Sequence, residues 1–420
     1  MIGAVKRTII PVTLAAGLIA AFIAARTLRP APAWHVEAVQ PLESPAATAG
    51  SAQPQLSVQT DRLLMSWVEI LNADATLKVA ERTATGWSEA RRVASGRDWF
   101  VNWADVPSVV RLADGSLAAH WLKESASSQY AYDVRLSFSK DDGRTWSQPA
   151  SPHHDGTPTE HGFVSLFPAP GSAGLGLVWL DGREMKAPKP DEEPSGSMGL
   201  RAAVFDPQGA QVSETLIDDR VCECCPTAAA VTSEGPIVAF RDRSQDEIRD
   251  IYVSRLVDGR WSEPTAVHGD NWQINACPVN GPALSASGRD VAVAWFTVAE
   301  DQGHVFVAFS SDAGRTFAVP VRVDDVSALG RVDVELLPDR SAVVSWIEAA
   351  GQRSEFRIRR VDRSAQRSES MSVAGITANR SSGYPRMARR GDELVFAWTD
   401  TEAVGSRVRT ATARLTQVKR

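Results

Sequence analysis

The sulfur in this chain is concentrated where it can do chemistry. All four cysteines fall in two short stretches, Cys222-Glu223-Cys224-Cys225-Pro226 and Cys277-Pro278. Three chemistries suit that clustering. An even number of cysteines outside the cytosol favours disulfides, and a bridge to Cys277 would staple the two stretches together. Vicinal Cys224–Cys225 bonding strains the backbone, so a bridge from Cys222 or Cys224 is easier. Thiolates also hold soft ions, Cu or Zn, and His153, His154 or His161 can add nitrogen to the set. The metal candidates are therefore Cys222, Cys224, Cys225, Cys277 and His161, although the spacing departs from paired Cys-x-x-Cys zinc sites. A redox-active thiol pair is the third reading, and all three stay open here.

The segments around the cysteines are rich in Trp, His, Asn and Arg. They are Asp98–Asp105, His153–Gly162, Asp218–Thr227, Asn271–Pro278, Gly330–Asp333 and Ser382–Arg386. Loops held by a rigid scaffold are where binding concentrates. Asn102, Trp103, Asp105, Asp155, His161, Trp272 and Asn275 are accordingly the candidate ligand contacts.

The elements that must position them repeat along the chain. A strand with an aromatic near its end recurs at Leu64–Trp67, Ala118–Trp121, Gly176–Trp179, Ile237–Phe240, Ala292–Trp295, Val343–Trp346 and Val395–Trp398. The period, roughly fifty to sixty residues, is that of propeller blades. Each unit has room for about four antiparallel strands. The predicted fold is all-β: a β-propeller of seven four-stranded antiparallel blades, six being the alternative, with an N-terminal apolar helix. The last unit ends on its third strand near Val408–Leu415, and Trp34–Val39 can supply the missing outer strand and close the ring. Strand order puts the inter-blade connections, with their Cys, His and Trp, on one face around a central funnel. Two residues past each marker aromatic stand Glu69, Lys123, Asp181, Asp242, Thr297, Glu348 and Asp400. Five of the seven are carboxylates, and a residue recurring from blade to blade serves the blade, as a loop cap or a partner for an arginine such as Arg183, Arg241 or Arg243.

Two turns carry a sharper signature. Ser139-Lys140-Asp141-Asp142-Gly143-Arg144-Thr145-Trp146 and Ser310-Ser311-Asp312-Ala313-Gly314-Arg315-Thr316-Phe317 share the pattern Ser-x-Asp-x-Gly-x-Thr-aromatic, the Asp box. Gly takes the positive φ the turn requires. On these motifs the chain resembles the sialidase-like (neuraminidase-repeat) β-propellers. The boxes join third and fourth strands, so they belong on the rim of the face opposite the funnel. The resemblance implies exo-glycosidase chemistry with arginines clamping a substrate carboxylate, a Tyr–Glu nucleophile and an acidic acid/base. Arg183, Arg241, Arg331, Tyr384, Arg386 and Asp181 are the residues here that could fill those roles, with Glu184 beside Arg183. The chain departs from that family in its predicted blade number and in lacking an early Phe/Tyr-Arg-Ile-Pro motif.

The N-terminus sets the compartment. Lys6 and Arg7 precede an apolar run from Thr8 to Ala25, closed by Arg26 and Arg29. That is a secretory signal or signal-anchor of about the minimum length to span a bilayer. Residues 1–29 are read as that segment, 30–54 as a Pro/Ala/Ser-rich tether and 55–420 as the propeller. The expected location is the periplasm, anchored in the inner membrane by residues 8–25, or secreted if the signal is cut at Ala31-Pro32-Ala33. A net charge of -6, with both signs interspersed, argues against a nucleic-acid partner. The expected function is binding of a ligand or soft metal in the Cys/His/Trp/Arg-lined funnel. A glycan, another small ligand or a periplasmic protein is the expected partner. A sialidase-type glycosidase and a non-catalytic scaffold with disulfide-stapled blades are the alternatives.

Overall fold

The computed structural model describes residues 34–46, 48–128, 130–169, 174–185, 196–351, 353–402 and 405–417. Their strands form seven antiparallel sheets. Blade 1 is Ser51–Gln59, Arg62–Leu71, Asp74–Glu81 and Arg91–Gly96. Blade 2 has Ser108–Arg111, Leu117–Glu124 and Tyr132–Ser139; blade 3 has His161–Pro168, Leu175–Asp181, Met198–Phe205 and Gln211–Val221. Blade 4 runs from Ala228–Thr232 through Gly235–Arg241 and Ile251–Val257 to two short outer pieces, Arg260–Trp261 and Thr265–Ala266. Blade 5 comprises Ala283–Ser287, Asp290–Thr297, His304–Ser310 and Val321–Arg322, and blade 6 Ala328–Leu336, Ala342–Ala350, Arg353–Val361 and Met371–Ile376. Blade 7 is Arg386–Arg390, Glu393–Glu402 and Gly405–Gln417. The first strands of all seven line a central channel of about 560 Å³.

The ring closes with strands from both ends of the described chain. Trp34 pairs with Gln417 and Val36 with Leu415, so Trp34–Val36 is the outer strand of blade 7, continued by Gln40–Leu42. The chain is therefore already part of the ring from Trp34, and Ser51 opens blade 1; this corrects a tether drawn to residue 54. The apolar run over 8–25 and the Ala31-Pro32-Ala33 motif lie outside the described residues. Among the described residues no helix is long and apolar enough to cross a membrane.

The core lies between neighbouring blades. Trp67, Trp179, Trp295 and Trp346, each on the second strand of its blade, are fully buried among the aliphatics of the adjacent sheets. Burying such a ring removes about 150–250 Å² from water, worth at most roughly 4–6 kcal/mol. An indole buried this way must find an acceptor for its N–H. Residues i and i+2 share a strand face, and there Glu69 accepts from Trp67 at 2.9 Å, Asp181 from Trp179 at 2.7 Å, and Glu348 from Trp346. Where blade 5 has Thr297 at that place, Trp295 turns to Asp270 at 2.6 Å. The recurrent carboxylates are in these blades caps on buried tryptophans.

Both Asp boxes form the expected turn. Ser139 Oγ accepts the Gly143 N–H at 2.8 Å; Asp141 accepts the Thr145 N–H at 2.9 Å and its hydroxyl at 2.7 Å. Ser310, Asp312, Gly314 and Thr316 repeat the set at 2.9, 3.0 and 2.7 Å. Gly143 and Gly314 have φ of 84° and 82°. Trp146 folds back onto Gly143 O at 3.3 Å, and Phe317 packs against the core between blades 4 and 5.

Blade 2 is irregular in a way that builds the site. Its outer edge is met by a segment holding Pro149 and Pro152, which have no N–H to give a ladder. Leu136 bridges to Ala150, and the Val134 N–H then donates to His153 Nε2 at 3.3 Å in place of a backbone carbonyl. The imidazole of His153 is thereby fixed at the end of the sheet.

Candidate functional site on the funnel face

The four cysteines meet at the entrance to blades 4 and 5. Cys222 and Cys225 form a disulfide with Cα atoms 5.7 Å apart. Cys224 is half-buried and reduced; Cys277 is exposed and reduced. Cys224 Sγ lies 3.9 Å from Cys222 Sγ. The connection carrying Cys277 is pressed onto the first by Gly281, where a Cβ would overlap Pro226 O. The nearby Cys224 thiol lowers Cys277 to about 7, helped by Arg249 and Arg243, and Cys224 is raised in turn. Arg249 Nη1 sits 3.5 Å from Cys222 Sγ and 2.8 Å from Glu223, with its Nη2 on Glu247 at 2.9 Å. Arg243 binds Glu223 and holds Glu247 at 2.6 Å. This collar of two arginines and two glutamates is neutral as a whole and sets one guanidinium, that of Arg249, against the bridged sulfur of Cys222. Its members from the loop after Arg241 stand far from the cysteines in sequence, and no spacing pattern announces them.

His161 does not join the sulfur set. It stacks on His153 with ring centres 3.9 Å apart, and both rings point a nitrogen at Asp155 Oδ2, at 3.2 and 3.3 Å. The other nitrogen of His161 faces the carbonyls of Tyr132 and Thr159 at 3.3 and 3.2 Å. Burial lowers His153 to about 3. Arg183 binds Asp181 at 2.7 Å and Glu214 at 2.9 Å and comes within 3.6 Å of Asp155. His161, Asp155, Asp181 and Arg183, assigned to three different roles from sequence, are one knot of ion pairs on blade 3.

A second acidic group lies beneath. Asp105 is fully buried against Gly162, whose Cβ would overlap its carboxylate. Among the described residues neither Asp105 oxygen makes a hydrogen bond of ordinary geometry, and burial pushes the group up to about 8. Burial likewise raises Glu160 to about 7, against the hydrogen bond it accepts from the Tyr132 hydroxyl. Tyr132 is buried and stacked on Phe100 at 3.9 Å. Glu160 and Tyr132 were missed as site residues from sequence; a carboxylate inside a His-rich connection was the available signal.

Three of the four arginines proposed as a carboxylate clamp, Arg183, Arg241 and Arg331, are already occupied. Arg241 is buried and donates to the carbonyls of Asn280, Arg249 and Phe296 at 2.9, 2.5 and 2.7 Å, over the ring of buried Trp272. Burial lowers it to about 10. Arg331 donates to the carbonyls of Ala378, Asn379 and Gly383 at 3.1, 3.1 and 2.9 Å and to Ser382 Oγ at 2.7 Å, over Trp103. Tyr384 stacks on Trp103 and donates to Val279 O at 2.5 Å. Arg386 lies 5.3 Å over the Tyr384 ring, in the wall of the channel. These groups bolt blades together, and the hydroxyl of Tyr384 is not presented as a nucleophile. Asn102 accepts the Ala104 N–H at 2.9 Å, while Asn275 is exposed beside Cys277 in sequence.

No family model matches the chain, and no curated protein matches its sequence. Solved structures do. A protein of unknown function from Dyadobacter fermentans superposes with a TM-score of 0.50 at 10% identity, covering 92% of this chain and 100% of that one. Polysaccharide lyase Uly1 gives 0.53 at 9% identity, covering 91% and 100%. The phage phi92 endosialidase gives 0.49 at 8% identity, covering 91% and 70%. At these identities the likeness is one of fold. That shared fold is the seven-bladed β-propeller, here with two complete Asp boxes.

Proposed function

We propose that the funnel face of this sialidase-like propeller binds a soft, thiophilic ion through Cys224 and Cys277, and that Cu(I) is the ion it suits. The observation that carries this is that two reduced thiols stand on neighbouring connections, packed together at Gly281 and Pro226, while the other two sulfurs are bridged. Two thiolates satisfy Cu(I), whereas Zn²⁺ wants four ligands and His161 is engaged elsewhere. Binding would release the thiol protons. Export, with residues 8–25 as anchor or cleaved signal, belongs to the same proposal, and the Cys222–Cys225 bridge fits an oxidising compartment. A sialidase-type reaction gains no support from Arg241 or Arg331, whose donors are spent on carbonyls.

The test is anaerobic Cu(I) titration against a chromogenic chelator. One Cu(I) per chain should be retained, and lost in both Cys224→Ser and Cys277→Ser. Copper stripped by the chelator from the native protein, or still held by the double variant, refutes the assignment.

A further inference from the structure

We propose that blade 3 holds a divalent transition-metal ion of the Zn²⁺ class at His161, Asp155 and Asp181, in a site separate from the sulfurs and independent of any copper they bind.

The fold brings the three ligand atoms together. His161 opens the first strand of blade 3, Asp181 ends the second, and the two are cross-strand partners. Asp155 comes from the connection that follows blade 2. That connection can lie on the strand ends because residue 182 is glycine: a Cβ there would come within 2.8 Å of Glu160 O. His161 Nε2 is then 3.2 Å from Asp155 Oδ2 and 3.9 Å from Asp181 Oδ2, and all three atoms fall within 4.8 Å of one another. Tetrahedral ligands about 2.0–2.2 Å from Zn²⁺ stand roughly 3.3–3.6 Å apart, so the two distances bracket the spacing an ion requires.

Hydrogen bonding leaves these atoms to a cation. His161 Nδ1 faces the carbonyls of Tyr132 and Thr159, which only accept, so Nδ1 carries the ring proton and Nε2 a lone pair. The fully buried Nε2 makes no hydrogen bond among the described residues, and neither does Asp155 Oδ2. A lone pair and two anionic oxygens turned on one point repel unless positive charge stands among them. His153 does not supply it. Its Nε2 accepts the Val134 N–H, so its one ring proton is on Nδ1, 3.3 Å from Asp155 Oδ2. Arg183 Nη2 stands 3.6 Å from Asp155 Oδ2 but spends itself on Asp181 Oδ2 at 2.8 Å and Glu214 at 2.9 Å. An ion takes the place of Nη2 on Asp181 Oδ2, which Trp179 also holds at 2.7 Å, while Arg183 keeps Asp181 Oδ1 through Nε and Glu214 through Nη2.

The surroundings are those of a metal centre. The Nδ1–H of His161 on backbone carbonyls fixes the tautomer, and Thr157 holds Asp155 Oδ1 through its N–H and its hydroxyl. The ion pairs join four carboxylates, Asp133, Asp155, Asp181 and Glu214, to two guanidiniums, Arg183 and Arg201. A divalent ion supplies the difference. One imidazole and two carboxylates suit Zn²⁺ and its neighbours; Ca²⁺ and Mg²⁺ ask for about six oxygens. Three protein ligands leave a fourth position to water entering past Asp155, the least buried of the three.

The test titrates Zn²⁺ into the whole chain carrying Cys224→Ser and Cys277→Ser, which removes the free thiols. Calorimetry and metal analysis should find one Zn²⁺ per chain. Adding His161→Gln or Asp155→Asn should weaken binding at least about tenfold, since even outer-shell changes cost that much. X-ray absorption of the zinc-loaded thiol-free chain needs no change at the ligands, and should show nitrogen and oxygen neighbours with no sulfur. A thiol-free chain that binds no zinc overturns the proposal and makes His161 an imidazolium partner of Asp155. Zinc held equally well by His161→Gln and Asp155→Asn, or a sulfur neighbour, overturns it too. In the chain with native cysteines, His161→Gln should retain Cu(I) as before; loss of copper there, at a near-native melting temperature, would join the two sites and refute their separation.

Discussion

The guanidinium of Arg241 lies 4.9 Å from the centre of the Trp272 ring and reaches three carbonyls beyond it. A lysine carries its donors on a single nitrogen and cannot span three acceptors set around the edge of a guanidinium. Arg241→Lys should therefore cost stability, about 3 kcal/mol, because buried carbonyls lose their donors. Urea unfolding measures it. An unmoved midpoint, with weakened ligand binding instead, would mean that Arg241 serves a ligand and not the joint between blades 4 and 5.

Asp141 gives the converse case on the opposite rim. Its carboxylate takes two N–H groups and the hydroxyls of Thr145 and Ser139 in the Asp box, which holds it down to about 2. Asp141→Ala should lower stability, as loss of a capping residue does. It should leave Cu(I) retention unchanged, since the turn lies at the far end of the blades. Loss of copper binding in a variant that still melts cooperatively would break the assignment of chemistry to the funnel face.

The blades and the Asp boxes were legible because each is a local pattern: strand alternation, a positive-φ glycine, an aromatic plug. Even the closing strand at Trp34–Val36 could be inferred, since a ring with a three-stranded last blade lacks one edge. The site was legible only as a set of connections. Which residues meet within it depends on contacts across blades: Arg331 with Trp103, Tyr384 with Val279, Asp105 with Gly162. No spacing rule encodes those. Thus Arg241, Arg331 and Tyr384 carried the residue types of a carboxylate clamp and proved to be joints, while Glu160, Tyr132 and Arg249 carried no motif.

Asp105 makes stability depend on pH. Its carboxyl is raised from 3.8 to about 8 in the folded chain by burial, so the folded state holds a proton that the unfolded state gives up. The contribution is full below about pH 4 and is lost as pH rises through about 8. Glu160, Asp242 and Glu335 are raised in the same direction, to about 7, 7 and 8, and share the slope. Unfolding free energy should fall between about pH 5 and pH 8. Asp105→Asn should flatten part of that fall and be more stable than the native protein at pH 8. Chemical denaturation across the range is the measurement; a native stability that rises over this window would contradict the buried protonated acid.

Cys277 should show its neighbour in its alkylation rate. The neighbouring Cys224 thiol lowers it from 9.0 to about 7, so half-maximal reaction with iodoacetamide is expected near pH 7. Cys224→Ala removes that neighbour and should move the midpoint up toward 9. Arg249→Met, which removes a smaller influence, should move it less in the same direction. A midpoint indifferent to Cys224 would separate the two thiols.

Gly281 decides whether the pair exists at all. A Cβ at this position would overlap Pro226 O, which is backbone and cannot swing away as a side chain would. Gly281→Ala must therefore push apart the connection carrying Cys277 and the one carrying Cys225-Pro226, while the sulfurs themselves are untouched. The expected result is a Cys277 that alkylates like an isolated thiol and a chain that no longer retains Cu(I). The Cys222–Cys225 bridge, which lies within one connection, should survive and be found by peptide mapping. If Gly281→Ala keeps both the lowered midpoint and the metal, then the two connections are not held in register by this contact, and the pairing of Cys224 with Cys277 must come from the collar of Arg243 and Arg249 alone.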